Sequence, residues 1–399
     1  MISRIPDLMR VGTMILCLLM GLCLLSAACL VAVGGTSIRR KPSIHEIPST
    51  AWPDVGVVVP AAGAAPQLPA AISSLLSQDY PSFRLVLVTR DREDPASAVL
   101  TEILGNRAGT KHVLSGMASG CGQKNHNLLR GLAALEPRPP ILVFCDSTRT
   151  APPQWLKALV APVVRGEVEV TSGYHHGIPR DKRFSTLGHA FSILVLYLTK
   201  GIPFLNQPWG GGTAIRRETF ERLGVEQIWS RNIVDDVSLA ALLKENRLRV
   251  GLSSGAHMAT PLKGETVGSW VQWLIRQWFY LKVCLPGSWL AAGSACYLFS
   301  GVLALAVFGV LGAIPGWVTK LHALACLAFL CLFAAMALGL RLLHPEPPPP
   351  LRCLAAAFLN PPIAAWAHMR TLFTMKITWH GIHYRVKWKG IVEGPGAEK

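Results

Sequence analysis

Four acidic positions have the surroundings of working carboxylates. Asp146 closes the apolar run Leu142-Val143-Phe144-Cys145 and is followed by Ser147-Thr148-Arg149. A buried strand reads this way, and an open α/β sheet gathers its ligand at the carboxyl ends of its strands. A carboxylate there, beside hydroxyls, can hold a divalent cation on a ligand diphosphate, since hard cations take oxygen ligands and share phosphate oxygens. It can equally cap the next turn. A second run, Phe83 to Thr89, leads into Arg90-Asp91-Arg92-Glu93-Asp94-Pro95. Asp235 and Asp236 stand side by side at a helix start, a position the helix dipole favours with or without function. In Gly120-Cys121-Gly122-Gln123-Lys124, glycines precede a lysine at a helix start, where N–H groups and an ammonium meet phosphate. The Gly-Lys-Ser/Thr ending of a Walker loop is absent. Trp209-Gly210-Gly211-Gly212-Thr213 is a loop that lets a ligand approach the backbone closely.

The elements that must position these groups alternate. Val55 to Pro60 reads as a buried strand and Ala70 to Gln78 as a helix, with Leu68, Ile72, Leu75 and Leu76 on one face. The strand 83–89, a helix over 96–104, a short strand around 112–114, a helix over 124–135 and the strand 141–145 follow. Strands alternating with helices predict a largely parallel sheet. Asp91 and Asp146 then both stand at strand ends. Beyond them come a strand from Val168, Tyr174-His175-His176-Gly177, and an apolar helix over 184–198 that contains His189.

Hydrophobic residues make up 51% of the 399 and charged ones only 16%, an unusual balance for a soluble protein. The excess is local. Residues 11–38, 283–319 and 321–340 carry no Asp, Glu, Lys or Arg, and about 20 apolar residues cross a bilayer as helix. The chain therefore divides into a membrane helix over 11–36, a water-facing domain over 50–285 and a membrane hairpin over 289–343. Ser26-Ala27-Ala28-Cys29 admits a signal reading. The apolar run continues past Cys29, however, and Arg39-Arg40-Lys41 follow, which favours a retained span with the domain in the cytosol. Residues 353–373, interrupted by Asn360-Pro361-Pro362, read as interfacial or re-entrant, and 374–399 as a basic cytosolic tail. The net charge of +16 lies mostly at membrane flanks rather than on a nucleic-acid module, so membrane surfaces and anionic ligands are the expected partners and nucleic acid is not. The ten cysteines show no metal-ligand pairing and no disulfide framework, which fits a reducing compartment.

The order Asp91, Asp146, Asp236, followed by an Arg/Trp-rich segment, resembles the membrane-bound family 2-like glycosyltransferases with their D, D, D, (Q/R)xxRW pattern. Within that group it looks most like ceramide glucosyltransferases and their bacterial relatives, including hopanoid-modifying ones. Asp91-Arg92-Glu93-Asp94-Pro95-Ala96, Cys145-Asp146-Ser147, His176-Gly177-Ile178-Pro179 and Asp235-Asp236 carry the likeness. Trp273-Leu274-Ile275-Arg276-Gln277-Trp278 departs from the last motif: Trp273 stands where Gln or Arg is expected, and the tryptophan is displaced by one. The resemblance implies an α/β, Rossmann-like GT-A domain with N- and C-terminal transmembrane helices. It implies a UDP-sugar donor, a membrane lipid acceptor such as ceramide, and Mg2+ or Mn2+. By the same likeness Asp91 and Asp94 would serve the nucleotide, Asp146 the metal and diphosphate, and Lys124 and Arg276 the phosphates. Asp236, with Asp235 beside it, would be the base, and His176, Trp209, Gln277 and Trp278 would line the acceptor or donor pocket. A processive polysaccharide synthase and a non-catalytic membrane scaffold of the same fold are the rival readings. A bacterial inner membrane is the expected location.

Overall fold

The computed structural model describes residues 5–40, 44, 47–105 and 107–395. Helix α1 (Ile5–Cys29) continues through a π-helical turn (Leu30–Gly34) into α2 (Gly35–Arg39), so the backbone stays helical past Cys29. The next elements are β1 (Val55–Pro60), α3 (Leu68–Leu76), β2 (Phe83–Thr89), α4 (Pro95–Leu104), β3 (Thr110–Leu114), α5 (Gln123–Ala133) and β4 (Ile141–Phe144). They are followed by α6 (Trp155–Val164), β5 (Val170–Pro179), α7 (Phe184–Lys200), β6 (Thr213–Arg216), α8 (Arg217–Arg222), α9 (Val225–Trp229), α10 (Asp236–Glu245) and β7 (Val250–Leu262).

These strands form one seven-stranded sheet in the order β3-β2-β1-β4-β6-β5-β7. The first four are mutually parallel, and β6 is antiparallel to both of its neighbours. The parallel half follows from the sequence. All six residues of β1 and all four of β4 are buried, as expected where helices cover both faces of a sheet. Strand alternation sends Val57, Leu85 and Val143 to one face, against Ile72, Leu100 and Trp155. Val58, Val86 and Phe144 go to the other, against Leu128, Leu132, Phe220 and Trp229. Full burial of such a side chain contributes about 1.5–3 kcal/mol.

Helix α11 (Val267–Cys284) leads directly into α12 (Pro286–Leu311), which turns back through α13 (Lys320–Arg341). The helical stretch Val11–Arg39, α12 and α13 are each long and apolar enough to cross a membrane. They pack through Leu16, Met20 and Cys23 against Val302, Ala306 and Phe329. Leu18 stays 67% exposed and Leu321 78%, which suits contact with lipid rather than water. Helix α14 (Pro350–Thr371) runs unbroken through Pro361 and Pro362 and packs against α7, α11, α12 and α13. Asn360 Nδ2 donates to Ser192 Oγ at 2.6 Å, and the Trp270 indole donates to the same oxygen at 2.9 Å, joining α14 and α11 to α7.

Residues 374–395, expected as a tail, instead fold back. They form β8 (Lys376–Trp379), β9 (Ile382–Val386) and β10 (Val392–Pro395), a second, antiparallel sheet. A His380-Gly381 turn with positive φ at both residues joins β8 to β9, the geometry of a tight hairpin. Ile377, Trp379, Ile382, Tyr384 and Val386 face inward and pack against Ile233, Phe279 and Val283. That apolar contact helps hold the segment on the domain of the large sheet.

Candidate active site

A cavity of about 550 Å3 opens at the carboxyl ends of the parallel strands. Pro60 to Gly63 after β1, Arg90 after β2 and Asp146 after β4 contribute to its wall. This is where an open α/β sheet is expected to bind its ligand.

Its centre is a set of charges. Lys124, in the first turn of α5, places Nζ 3.0 Å from Asp146 Oδ1 and 3.1 Å from Asp235 Oδ2. Arg149 reaches the other oxygen of Asp146 at 3.1 Å. Burial alone would lower the Lys124 pKa, but the Asp146, Asp235 and Asp236 carboxylates outweigh it and keep the ammonium charged. Burial likewise opposes charge on Asp146, and Lys124 and Arg149 overcome it, so this carboxyl titrates below its ordinary range. Asp235 is only 2% exposed. Burial, with Asp236 and Asp146 nearby, raises its pKa to about 6 against the pull of Lys124.

Asp236 is different. It is half-buried and faces the cavity. Gly210 N–H donates to its Oδ2 at 3.0 Å and Val237 N–H to its Oδ1 at 2.7 Å. A glycine here leaves room for the ion pair. A β-carbon at Gly210 would collide with Lys124 Nζ and lie 2.8 Å from Asp235 Oδ2. The loop 209–212 thus brings the Gly210 N–H onto the Asp236 carboxylate.

An aromatic wall stands beside the charges. Trp209 stacks on His175 at 4.9 Å, meets Tyr174 at 5.2 Å and lies under Arg149 at 5.3 Å. Arg276, Gln277, Trp273 and Tyr280 of α11 complete that side. Trp273, the departure from the expected motif, also contacts the ring of the buried His189 at 4.6 Å.

Of the residues singled out from sequence, Asp94, Lys124, Asp146, Trp209, Asp235, Asp236, Arg276 and Gln277 line this one cavity. Three do not. Asp91 turns its carboxylate into its own loop, accepting from Asp94 N–H at 2.8 Å and pairing with Arg90 at 2.5 Å. Asp94 takes the cavity position and caps α4, accepting from Ala96 N–H at 3.0 Å and Gly63 N–H at 2.8 Å. His176 lies behind the wall among Tyr197, His257 and His344. Trp278 points to α14, donating to the Ala364 carbonyl at 3.1 Å. Conversely, Trp379, His380, Ile382 and Tyr384 of the C-terminal hairpin form part of the cavity wall, and the sequence reading missed them. The Tyr384 hydroxyl accepts from Gln123 N–H at 3.2 Å, at the start of the helix that carries Lys124.

Asp146 offers only hard oxygen donors. Among the described residues no three His, Cys, Asp or Glu side chains converge as a ready metal cage. Mg2+ and Mn2+ need no such cage, because one or two carboxylates and substrate phosphates suffice. The donor set therefore fits such an ion, with Lys124 and Arg149 orienting the Asp146 carboxylate.

The architecture has a counterpart among solved structures. A mannosyltransferase, PcManGT, from Pyrobaculum calidifontis, in complex with GDP-Man and Mn2+, is similar over 90% of this chain and 99% of its own length. The TM-score is 0.51 at 15% sequence identity, a likeness that establishes a GT-A-type fold with apolar helices attached. The sequence model of glycosyl transferase family 21 matches residues 17–392, which takes in the catalytic sheet, the cavity, the apolar helices and most of the C-terminal sheet; the chain belongs to that family and is a glycosyltransferase.

Proposed function

We propose that the protein transfers a hexosyl group, glucose in the first instance, from a UDP-sugar to the hydroxyl of a membrane lipid, ceramide being the leading acceptor. The observation that carries this reading is a cavity with a cationic, carboxylate-lined floor, walled on one side by α11, the helix that leads directly into α12, which is long enough to span a bilayer. A soluble donor and a membrane-held acceptor need such a place to meet.

The donor diphosphate lies over Lys124, Arg149 and Arg276, whose charges stabilise the leaving group as the bond to the anomeric carbon breaks. Asp146 would hold Mg2+ or Mn2+, which would supply further charge neutralisation for the leaving diphosphate. Asp236 accepts the proton of the lipid hydroxyl while its oxygen attacks the anomeric carbon and UDP departs. Gly210 and Val237 N–H hold that carboxylate in place. The displacement is direct and inverts the anomeric configuration. Asp235, locked to Lys124, positions rather than reacts. The apolar helices hold the domain at the cytosolic face of the membrane.

The test is sugar transfer by detergent-purified protein with a panel of UDP-sugars, with and without ceramide, in Mg2+ or Mn2+. A ceramide-dependent glycolipid supports the reading and names the sugar. Donor hydrolysis without that product keeps the transferase and overturns ceramide, directing the search to hopanoid, sterol or diacylglycerol acceptors. A polymeric product would favour a polysaccharide synthase.

A further inference from the structure

The C-terminal sheet has two faces, and the cavity uses only the inner one. Between the inward residues of β8 and β9, the side chains of Lys376, Thr378, His383 and Arg385 are exposed on the outer face. Lys376 and Arg385 stand directly opposite one another in the strand register. Like charges in facing positions repel. Lys387 finds a counter-charge in Glu393 at 2.7 Å, but among the described residues neither Lys376 nor Arg385 has an acidic partner within ion-pair distance. The pair borders a groove of about 700 Å3 walled by Phe373, Trp388 and Ile391 and by the Lys387–Glu393 ion pair, whose carboxylate is neutralised by its lysine. Phe373 is 96% exposed and Trp388 54%.

The place of this groove identifies its occupant. Thr371, two residues before Phe373, accepts through Oγ1 from the indole of Trp289 in the first turns of α12, at 3.2 Å. Lys282 Nζ donates to the carbonyls of Thr371 and Leu372. The same ammonium lies 5.8 Å from the Trp289 ring centre and 5.9 Å from that of Trp388. Phe373 and Trp388 therefore stand at the level where α12 enters the apolar layer, the depth at which aromatic side chains anchor a membrane protein.

We propose that this face is a binding site for an anionic phospholipid of the membrane that α1, α12 and α13 span. Lys376 and Arg385 take the phosphodiester, and Phe373 and Trp388 enter the interface beside it. Charge-assisted bonds from Lys and Arg suit phosphate, and the lipid supplies the counter-ion that the fold does not. The site is tied to the catalytic machinery. Ile233 N–H donates to the Gly390 carbonyl and Val392 N–H to the Arg231 carbonyl, both at 2.9 Å, in the segment just before Asp235. A lipid seated here fixes the hairpin side of the cavity wall to the membrane surface. The inference rests on the reading of the three helices as spans, and not on the identity of donor or acceptor.

The experiment reconstitutes the full chain in lipid bilayers and measures the association of spin-labelled phosphatidylglycerol relative to spin-labelled phosphatidylcholine. The wild type is compared with Lys376→Gln, Arg385→Gln, the double variant and the charge-conserving Lys376→Arg. The preference for phosphatidylglycerol falls roughly five-fold for each charge removed, the increment expected of one basic residue at an anionic surface. It survives in Lys376→Arg. Circular dichroism confirms folding, and the singles stand in should the double variant fail to fold. An unchanged preference in folded neutralised variants overturns the proposal, as does a wild type that associates equally with both lipids. The readout is lipid association, so it is independent of whether the proposed sugar transfer is correct.

Discussion

Two gatherings of titratable side chains lie on opposite sides of one aromatic wall. In front are Lys124, Asp146, Arg149, Asp235 and Asp236, where Lys124 pairs with Asp146 and Asp235, Arg149 pairs with Asp146, and all five open into a cavity. Behind are His176, His257 and His344 with Tyr197. Burial lowers the pKa of His176 to about 3, helped by His257 and His344, and that of His257 to about 4. The Tyr197 hydroxyl bonds His257 Nδ1 at 2.6 Å, and His344 Nε2 bonds the Gly177 carbonyl at 2.9 Å. The first group spends burial on keeping ions ready for a ligand. The second is a buried nest whose hydrogen bonds tie β7 to α7 and β5 to the loop after α13. Residue type alone does not separate them, but pairing and access do.

Breaking the front group should cost activity first. Asp236→Asn lowers transfer by about 1000-fold, within the range of a positioned base, with thermal unfolding close to wild type. Lys124→Met leaves Asp146 and Asp235 facing each other without their shared cation. Breaking a buried pair in this way costs about 3 kcal/mol, read as a lower unfolding midpoint, and transfer is lost with it. Breaking the rear group should cost stability alone. His344→Ala removes the bond to Gly177 and costs about 1–2 kcal/mol, while the rate per folded molecule stays within two-fold, about the scatter expected away from the chemistry.

Acid sharpens the contrast. In the folded state His176 and His257 titrate below the 6.5 of free histidine. The unfolded chain therefore binds protons that the native state refuses, and stability present above pH 6.5 is lost as pH falls toward 4. Unfolding midpoints measured across that window should fall in the wild type and fall less steeply in His176→Gln. An equal slope in both would remove His176 from the nest's energetics.

Much of this was legible in the sequence, and the failures have physical causes. The charge-free runs gave the three long apolar helices, and the alternation of apolar strands with helices gave the parallel half of the sheet, with the cavity at its carboxyl ends. Within 91–94, the sequence could not tell which carboxylate faces the cavity, because that depends on the loop closing on itself through Asp91 and the Asp94 N–H. His176 and Trp278 were expected at the pocket, but alternation along β5 turns His175 to the cavity and His176 away from it, and Trp278 lies on the α14 side of its helix. The C-terminal sheet was missed because its strands are only four or five residues long and their outward residues are basic, which reads as a tail. The alternation of Ile377 and Trp379 with Ile382, Tyr384 and Val386 around His380-Gly381 was the available sign of a hairpin.

The most direct test of the front group's role is the linkage and yield of the glycolipid made by purified protein from an α-linked UDP-sugar, with Asp236→Asn beside the wild type. The account predicts a β-linked glycolipid from the wild type and almost none from folded Asp236→Asn. An α-linked product, or full yield from the variant, would contradict direct displacement with Asp236 as the base.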